Sequence, residues 1–357
     1  MLNGQCLIGN NCNMSDQRIN SLTSIKGLMA LFVFTYHFFG KSVLPNMGEI
    51  AVTSFFALSG FTLSMSYSGR LQTGRFNYKD YLIKRVSRIY PIQWLTLLIC
   101  IVFGLDDSHC LWPIPLHFTL LQDYVPLWRS YYSYNMISWF LSAILFCYLT
   151  FPIVFSLISK KIRTATGLFI SAIFAFVAFL KLLPETIGTQ WLANYNPFAR
   201  ALDFYLGVFL YFIWNQKADM IAKINRTACS VLEILIIASL LIGSVTAPWF
   251  ESIPRTPAYW YPLVAGMILL FVSEDRGVVS KVFNCKAVLS LSSLSLSFYM
   301  FHIIVFRLFP FSTMPIALRY ISWLLITTAV AYICERYYIP WSAETFKKLA
   351  YKWTSRR

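Results

Sequence analysis

The sequence is poor in charge and especially in acid. Charged residues make up 13% of the 357 residues, and Asp and Glu together number only 15. Soluble domains carry about 25% charged residues, so this scarcity excludes an ordinary soluble protein. The eight cysteines are scattered without a Cys-x-x-C pair, and there are only four histidines. These absences argue against a zinc site and a disulfide framework, so we predict no metal site.

Residues 1–20 are expected to form a polar N-terminal extension rather than a signal peptide. They lack the apolar core that a signal peptide requires. Cys6 and Cys12 lie in this stretch, and the sequence leaves a bond between them open. Met14 begins a Met-Ser-Asp sequence that resembles an alternative start, so the choice between Met1 and Met14 also stays open.

Hydrophobic residues make up 57% of the chain and are concentrated in ten long runs. The runs cover residues 21–40, 47–67, 89–105, 136–158, 166–183, 198–214, 229–247, 259–273, 287–309 and 317–334. A helix that spans a membrane needs about 20 apolar residues, so ten of them take about 200 residues and leave short connections. We therefore predict an all-α polytopic integral membrane protein with about ten transmembrane helices. Its transmembrane domain covers 21–335, and a basic tail covers 336–357.

One apolar stretch, Leu111 to Asp123, does not fit the pattern of a span. It is short and contains Pro113 and Pro115. We expect it to be interfacial or re-entrant, because irregular backbone at membrane depth needs protein around it.

The basic residues predict the orientation in the membrane. The net charge of +15 would suggest nucleic acid as a partner in a soluble protein, but in a membrane protein it indicates basic cytoplasmic loops. With the N-terminus inside, 23 of the 30 Lys and Arg residues fall on the cytoplasmic side and seven outside. This asymmetry predicts cytoplasmic N- and C-termini in a multi-pass protein of the cell inner or plasma membrane, with the lipid bilayer rather than nucleic acid as its partner.

The first span contains two ionisable residues, Lys26 and His37. Ionisable residues inside a membrane are costly and are therefore functional candidates. Eleven residues on a helix make three turns plus about 20°, which places both side chains on one face about 16 Å apart. The alternatives are a lysine that extends to the interface and a histidine that only bridges two helices.

A second intramembrane histidine, His302, lies in the ninth run. Two such residues in a chain with four histidines point to a shared polar cavity. An imidazole can accept a proton from an alcohol and return it near neutral pH. His109 and His117 fall in an outer connection, where we expect solvation or packing.

Arg85 and Arg88 lie where a cytoplasmic loop enters the third span. Three residues apart, they share a helix face and could bind a phosphate group with paired N–H donors. Simple anchoring at the inner surface is the alternative. In the second span, Ser59 and Gly60 would allow another helix backbone to approach closely.

Arg200 and Asp203 open the sixth run at the i,i+3 spacing of a salt bridge. The sequence does not decide whether this bridge is structural or belongs to an acceptor site.

Taken together, these residues resemble acyltransferase family 3, whose polytopic members modify cell-envelope glycans. The family has a basic residue eleven positions before a histidine, as Lys26 and His37 are here. Its F-F-x-L-S-G-F and R-x-x-R-I-Y-P elements are matched by Phe55–Phe61 and Arg85–Pro91. Weaker matches are Thr119–Gln122, Trp139–Ser142, Arg200 to Gly207 and Ser295 to His302.

The resemblance implies an acyl-CoA donor, most often acetyl-CoA, as a co-substrate with no bound cofactor, and a hydroxyl acceptor on a carbohydrate or lipid-linked glycan. It implies that His37 and Lys26 are catalytic and that Arg85 and Arg88 bind the donor. It further assigns His302, Arg200, Asp203 and Ser59 to the acceptor site or the cavity.

Two departures from the family pattern stand out. Lys26 replaces the usual arginine, which keeps the charge but loses the planar fork of N–H donors. Relatives often carry an acid after the Trp-x-Leu-Ser element, where this chain has Ala143, Ile144 and Leu145. We expect any role of that acid to be absent or supplied elsewhere, with Asp203 as the candidate.

Two other functions are consistent with the sequence. A proton-coupled transporter or flippase of a glycan or lipid-linked intermediate would use His37 and His302 as a proton relay. Paired helices interrupted by Gly or Pro, typical of inverted-repeat transporters, are not evident. A structural partner in an envelope complex would perform no chemistry.

Overall fold

A computed structural model describes residues 20–40, 42–106, 110–184, 186–246, 256–272 and 276–354. Nearly all of the predicted N-terminal extension lies outside these ranges. The expectations for Cys6, Cys12, Met14 and His109 therefore also lie outside the described residues.

In the described ranges the chain is mostly helical and contains no β-strand, which confirms the all-α class. The helices are α1 Asn20–Phe39, α2 Met47–Gln72, α3 Tyr78–Val102, α4 Ile114–Thr119, α5 Trp128–Tyr131, α6 Trp139–Lys160, α7 Ile162–Leu182, α8 Ile187–Asn194, α9 Pro197–Ala222, α10 Arg226–Val245, α11 Tyr261–Phe271, α12 Val278–Phe283, α13 Lys286–Leu308, α14 Ile316–Ile333 and α15 Ile339–Thr354.

Eight helical segments in the described residues are long and apolar enough to cross a membrane, which confirms a polytopic membrane protein. The described part of each of the ten apolar runs lies mostly on a helix. The two outside the set of eight are α9, which carries charged residues at both ends, and the 15-residue helical stretch Pro257–Phe271. The count of ten spans and the orientation of the termini remain predictions.

Between α3 and α6 the chain forms short helices instead of a span. Residues 114–119 and 128–131 form helices of six and four residues, and Gln122–Tyr124 forms a 3₁₀ turn. None of these is long enough to cross a bilayer. The expectation that Leu111 to Asp123 does not span is confirmed.

Asparagine side chains begin three of the long helices. Asn77 accepts a hydrogen bond from the backbone N–H of Asp80 at the start of α3, and Asn225 accepts one from Ala228 at the start of α10. At α9, Asn196 accepts from two backbone N–H groups, and a proline follows in the first turn. These caps satisfy N–H groups that a helix leaves unpaired, so the polar connections define where the helices begin.

Glycines allow α2 and α9 to pack backbone against backbone. A methyl group at Gly60 would lie 2.0 Å from the Phe204 carbonyl oxygen, and one at Gly207 would lie 1.8 Å from the Ala57 oxygen. The close approach expected at Gly60 is confirmed. This contact fixes the position of the Phe55–Phe61 segment of α2 along α9.

A single helical rod continues from α14 into α15 through a π-helical turn at Cys334–Tyr338. The predicted basic tail is thus helical as far as Thr354. It packs against α3, with the rings of Tyr90 and Phe346 stacked at 6.2 Å and the Tyr351 hydroxyl donating to Asp80 at 2.8 Å.

Candidate active site

A cavity of about 680 Å³ lies among the helices and contains four of the predicted site residues. They are Lys26 of α1, Ser59 of α2, and Arg85 and Arg88 of α3. Residues some 60 positions apart in the sequence therefore meet around one space. The described lining carries four cations, since Lys84 joins the other three, against the carboxylate of Glu335.

Close packing of α1 against α13 positions Lys26. A methyl group at the next residue, Gly27, would lie 2.6 Å from the Ser292 hydroxyl oxygen. That hydroxyl accepts a hydrogen bond from the Gly27 N–H at 3.2 Å and lies 3.2 Å from the Ser24 carbonyl oxygen. The Lys26 side chain therefore emerges into the cavity from a tightly held turn of α1.

Arg85 is held by aromatic faces. Its guanidinium lies 5.5 Å from the ring centre of Tyr67, 5.8 Å from that of Tyr81 and 5.7 Å from that of Tyr148. A guanidinium above an aromatic face is attracted by the negative ring. The three rings, which the sequence did not single out, orient the charge without neutralising it.

Arg88 reaches a carboxylate instead. Its Nη2 lies 3.4 Å from Glu335, which also accepts a hydrogen bond from the Ser297 hydroxyl at 2.9 Å. Glu335 lies in the π-helical turn, a feature often found at functional sites. Sequence reasoning missed this residue, although a lone acid at the end of an apolar run is a signal.

His37 and His302 are in contact, with His37 Nδ1 3.1 Å from His302 Nε2. His302 Nδ1 lies 2.6 Å from the Tyr299 carbonyl oxygen and His37 Nδ1 lies 2.9 Å from the Val33 oxygen. A carbonyl only accepts, so both Nδ1 atoms carry hydrogen. His302 Nε2 then accepts from His37, and in the neutral ring His37 Nε2 keeps a lone pair.

Three packed aromatic rings in the cavity lining, which we call the aromatic wall, lie next to the histidine pair. Tyr299 lies 6.2 Å from Phe55 and 5.2 Å from Phe140, measured between ring centres, and all three line the cavity. The Tyr299 ring also lies 5.8 Å from that of His302. The described lining includes neither histidine. His302 is fully buried and His37 is partly exposed.

Arg200 and Asp203 form the expected salt bridge, with 2.8 Å between Nη1 and Oδ2. Both side chains are buried, and the described cavity lining does not include them. The Tyr261 hydroxyl donates to the other oxygen of Asp203 at 2.6 Å, and the Trp139 ring lies beneath the guanidinium at 5.1 Å. The pair ties α9 to α11 and to the start of α6.

His117 and Asp123 are buried in the connection between α3 and α6. The ring nitrogens of His117 lie 2.8 Å from the Ser130 carbonyl oxygen and 3.3 Å from the Ser138 hydroxyl. Burial lowers the pKa of His117 to about 4. Burial also raises the pKa of Asp123, and the Ser142 hydroxyl offsets only part of that effect. Packing is thus the role that the structure shows for His117.

The arrangement can bind an anion and accept a proton. Cations cluster in the cavity where a phosphorylated molecule would be held, and a neutral imidazole with a lone pair lies deeper along α1. Lys26 at the anion-binding cavity and His37 as the proton acceptor are about three helical turns, or roughly 16 Å, apart along α1.

Comparison with known proteins identifies the family that the chain matches. The family model described as "Acyltransferase domain" matches residues 19–336. The chain is 27% identical over 324 residues to acyltransferase MdmB of Streptomyces mycarofaciens, which covers 81% of this chain and 79% of that protein. It is 24% identical over 299 residues to a proposed acetyltransferase, ORF330 of Acidianus two-tailed virus, covering 80% and 82%. No solved structure shows a significant match.

Proposed function

The chain belongs to this acyltransferase family, and from that premise we propose that it moves an acyl group, most simply acetyl, from acyl-CoA to a hydroxyl of a cell-surface or lipid-linked carbohydrate. The chain is a multi-pass membrane enzyme that transfers a group other than aminoacyl. The observation that carries the finer proposal is the cationic cavity that ends at the aromatic wall in front of His37 and His302.

The cavity suits the phosphorylated end of a CoA thioester. Arg85 offers a planar fork of donors oriented by three tyrosine rings. Arg88 and Lys84 add two exposed cations at the same wall. Charge-assisted hydrogen bonds from guanidinium groups to phosphate are among the strongest in proteins. Ser59 lines the space beside them.

His37 is the general base in this proposal. Its Nε2 takes the proton of the acceptor hydroxyl while that oxygen attacks the thioester carbonyl carbon. The C–S bond then breaks, and the leaving thiolate receives the proton from the imidazolium. Because His302 accepts from His37 Nδ1, it favours the tautomer that exposes the Nε2 lone pair.

Lys26 contacts the acyl-CoA donor between the cavity cations and His37 in this proposal. Both residues occupy one face of α1, so an extended acyl-pantetheine arm that starts at the cations can run along this face. The ammonium can orient that arm or stabilise developing negative charge on the thioester oxygen. The rings of Phe55, Phe140 and Tyr299 must move aside before the thioester carbonyl reaches His37.

In this proposal the acceptor molecule is bound on the histidine side of the aromatic wall. His302, Arg200 and Asp203 are the candidates from the sequence, and His302 now has a second role because it orients His37. The Arg200–Asp203 bridge is already in contact with Tyr261 and Trp139, so we propose that it braces the acceptor side. Family membership favours this chemistry over the transporter or flippase alternative.

The experiment measures alkali-labile acyl esters on envelope glycans of the source cells. Strains carry a deletion, the restored wild-type gene, or the restored gene with His37→Ala at equal protein level. Arg163→Ala, an exposed basic residue on α7, serves as the matched control. We expect esters to be lost on deletion, to return with the wild type and the control, and to stay absent with His37→Ala.

The released acid identifies the acyl group. Unchanged esters in every strain would overturn the carbohydrate acceptor. Normal esters with His37→Ala would overturn the role of His37 as base.

A further inference from the structure

A second cavity of about 260 Å³ lies at the turn between α2 and α3, beside the first. Its lining consists of Tyr67, Arg70, Arg75, Phe76, Asn77, Asp80, Tyr81 and Lys84. Three of these residues are basic, three are aromatic and one is acidic. No step of the proposed reaction uses this space.

The two cavities share a wall. Lys84 lines both of them. The ring of Tyr67 carries the guanidinium of Arg85 at 5.5 Å and that of Arg70 at 5.8 Å, so one ring connects the cations of the main cavity to those of the small one. A molecule held at Arg85 therefore lies next to the second cavity.

The aromatic part of this lining is packed and preformed. Phe76 contacts Tyr67 at 5.8 Å and Tyr81 at 5.3 Å, measured between ring centres. Tyr67 and Tyr81 are buried, whereas Phe76 is half-buried at the cavity. Aromatic faces of this kind favour stacking of a planar base.

The basic part of the lining is exposed. Arg70 and Arg75 are exposed in this lining, and Lys84 of α3 contributes a third exposed cation. A phosphate monoester carries close to two negative charges at neutral pH, and guanidinium groups bind such oxygens in pairs. A planar ring system with a phosphate attached is thus the chemical class that this lining fits.

We propose that the second cavity binds the 3′-phosphorylated adenosine end of the CoA donor, with the base against Phe76 and the 3′-phosphate at Arg70 and Arg75. This inference rests on the proposed function, which supplies CoA as the donor. It makes the small cavity the part of the site that distinguishes CoA from carriers that lack the nucleotide.

The test measures retention of labelled acetyl-CoA by the purified protein in zwitterionic lipid, with unlabelled CoA, 3′-dephospho-CoA or pantetheine as competitors. We expect CoA to compete at least tenfold better than 3′-dephospho-CoA in the wild type. In Arg70→Ala/Arg75→Ala the two should compete equally, because CoA loses affinity while 3′-dephospho-CoA does not. Arg163→Ala should behave as the wild type.

A second readout does not depend on thioester binding. Adenosine 3′,5′-bisphosphate should raise the melting temperature of the wild type more than that of the double variant. If labelled acetyl-CoA is not retained but the bisphosphate still stabilises the wild type selectively, the donor is wrong and the nucleotide site stands. Equal competition and equal stabilisation in wild type and variant would overturn the inference.

Anionic lipid is the other source of phosphate at this position. The same measurements in vesicles with added anionic phospholipid separate the two. Displacement by anionic lipid, with no preference for CoA over 3′-dephospho-CoA, would assign the cavity to a lipid headgroup instead.

Discussion

His302 is fully buried and accepts a hydrogen bond from His37 Nδ1 through its Nε2, across 3.1 Å. Its own Nδ1 is committed to the Tyr299 carbonyl at 2.6 Å, so its ring orientation is determined within α13. His37 on α1 is thereby held in one tautomer by two acceptors, the Val33 carbonyl oxygen and His302, which is 265 positions away. The contact makes His302 a positioning residue for the proposed base.

Removing the hydrogen-bond acceptor at His302 should lower kcat more than it weakens the binding of acyl-CoA. We expect His302→Leu to reduce kcat by roughly a hundredfold, the lower end of a general base contribution, with the KM for acyl-CoA unchanged. His302→Gln retains a side-chain oxygen that can accept from His37 and should recover part of kcat. Initial rates of label transfer in membranes measure both constants.

A purely structural role for His302 would give a different pattern. Leucine and glutamine would then reduce the protein level and melting temperature in parallel, and kcat per folded molecule would stay the same. Equal kcat in the two variants would contradict the positioning role.

Arg85 should not tolerate lysine, although the charge is kept. Lysine loses the planar guanidinium that lies against Tyr67, Tyr81 and Tyr148 and the paired donors that bind phosphate. We expect Arg85→Lys to raise the KM for acyl-CoA about tenfold at similar kcat. The matched control is Arg163→Lys, and an unchanged KM in Arg85→Lys would assign Arg85 to membrane anchoring.

The helices of this fold are predictable from sequence because hydropathy is a local property. The described part of each of the ten apolar runs lies mostly on a helix, and the Pro-containing stretch after α3 does not span. The spacing of Lys26 and His37 likewise follows from helix geometry alone. Whether α9 and α11 cross the membrane is harder to predict, since charged residues in one and the short length of the other weaken the signal.

The environment of each site residue depends on contacts between distant helices and was not predictable. Three different helices supply the tyrosines around Arg85. Glu335 enters the cavity through a π-helical turn, which has no simple sequence pattern. Asp203, the sequence candidate for the role of the acid missing after the Trp-x-Leu-Ser element, is paired with Arg200 as expected, and the acid in the described cavity lining is Glu335.

The contact between α2 and α9 should be intolerant of a single added methyl group. Gly60→Ala and Gly207→Ala place a carbon against a backbone oxygen that cannot rotate away. We expect each to lower the free energy of unfolding by about 1–3 kcal/mol. Gly69→Ala in the same α2 has nothing within 4 Å of the new carbon and should leave stability unchanged or higher by up to about 1 kcal/mol. Thermal unfolding in detergent distinguishes them.

Asp123 and His117 should make opposite contributions to the pH dependence of stability. Burial lowers the pKa of His117 to about 4, so its contribution is present above pH 6.5 and is lost as the pH falls towards 4. Burial raises the pKa of Asp123, so its contribution is present below pH 3.8 and is lost as the pH rises through the folded value. Between pH 4 and 6.5 the contributions of His117 and Asp123 to the stability of the wild type therefore partly cancel.

Asp123→Asn separates the two, because asparagine has the shape of the protonated acid and does not titrate. The difference in melting temperature, variant minus wild type, should grow as the pH rises from 4 to 8. His117→Gln should instead flatten the loss of stability between pH 6.5 and 4. A constant difference for Asp123→Asn across this range would mean that Asp123 has its ordinary pKa in the fold, and that the connection between α3 and α6 admits enough water to keep the carboxylate charged.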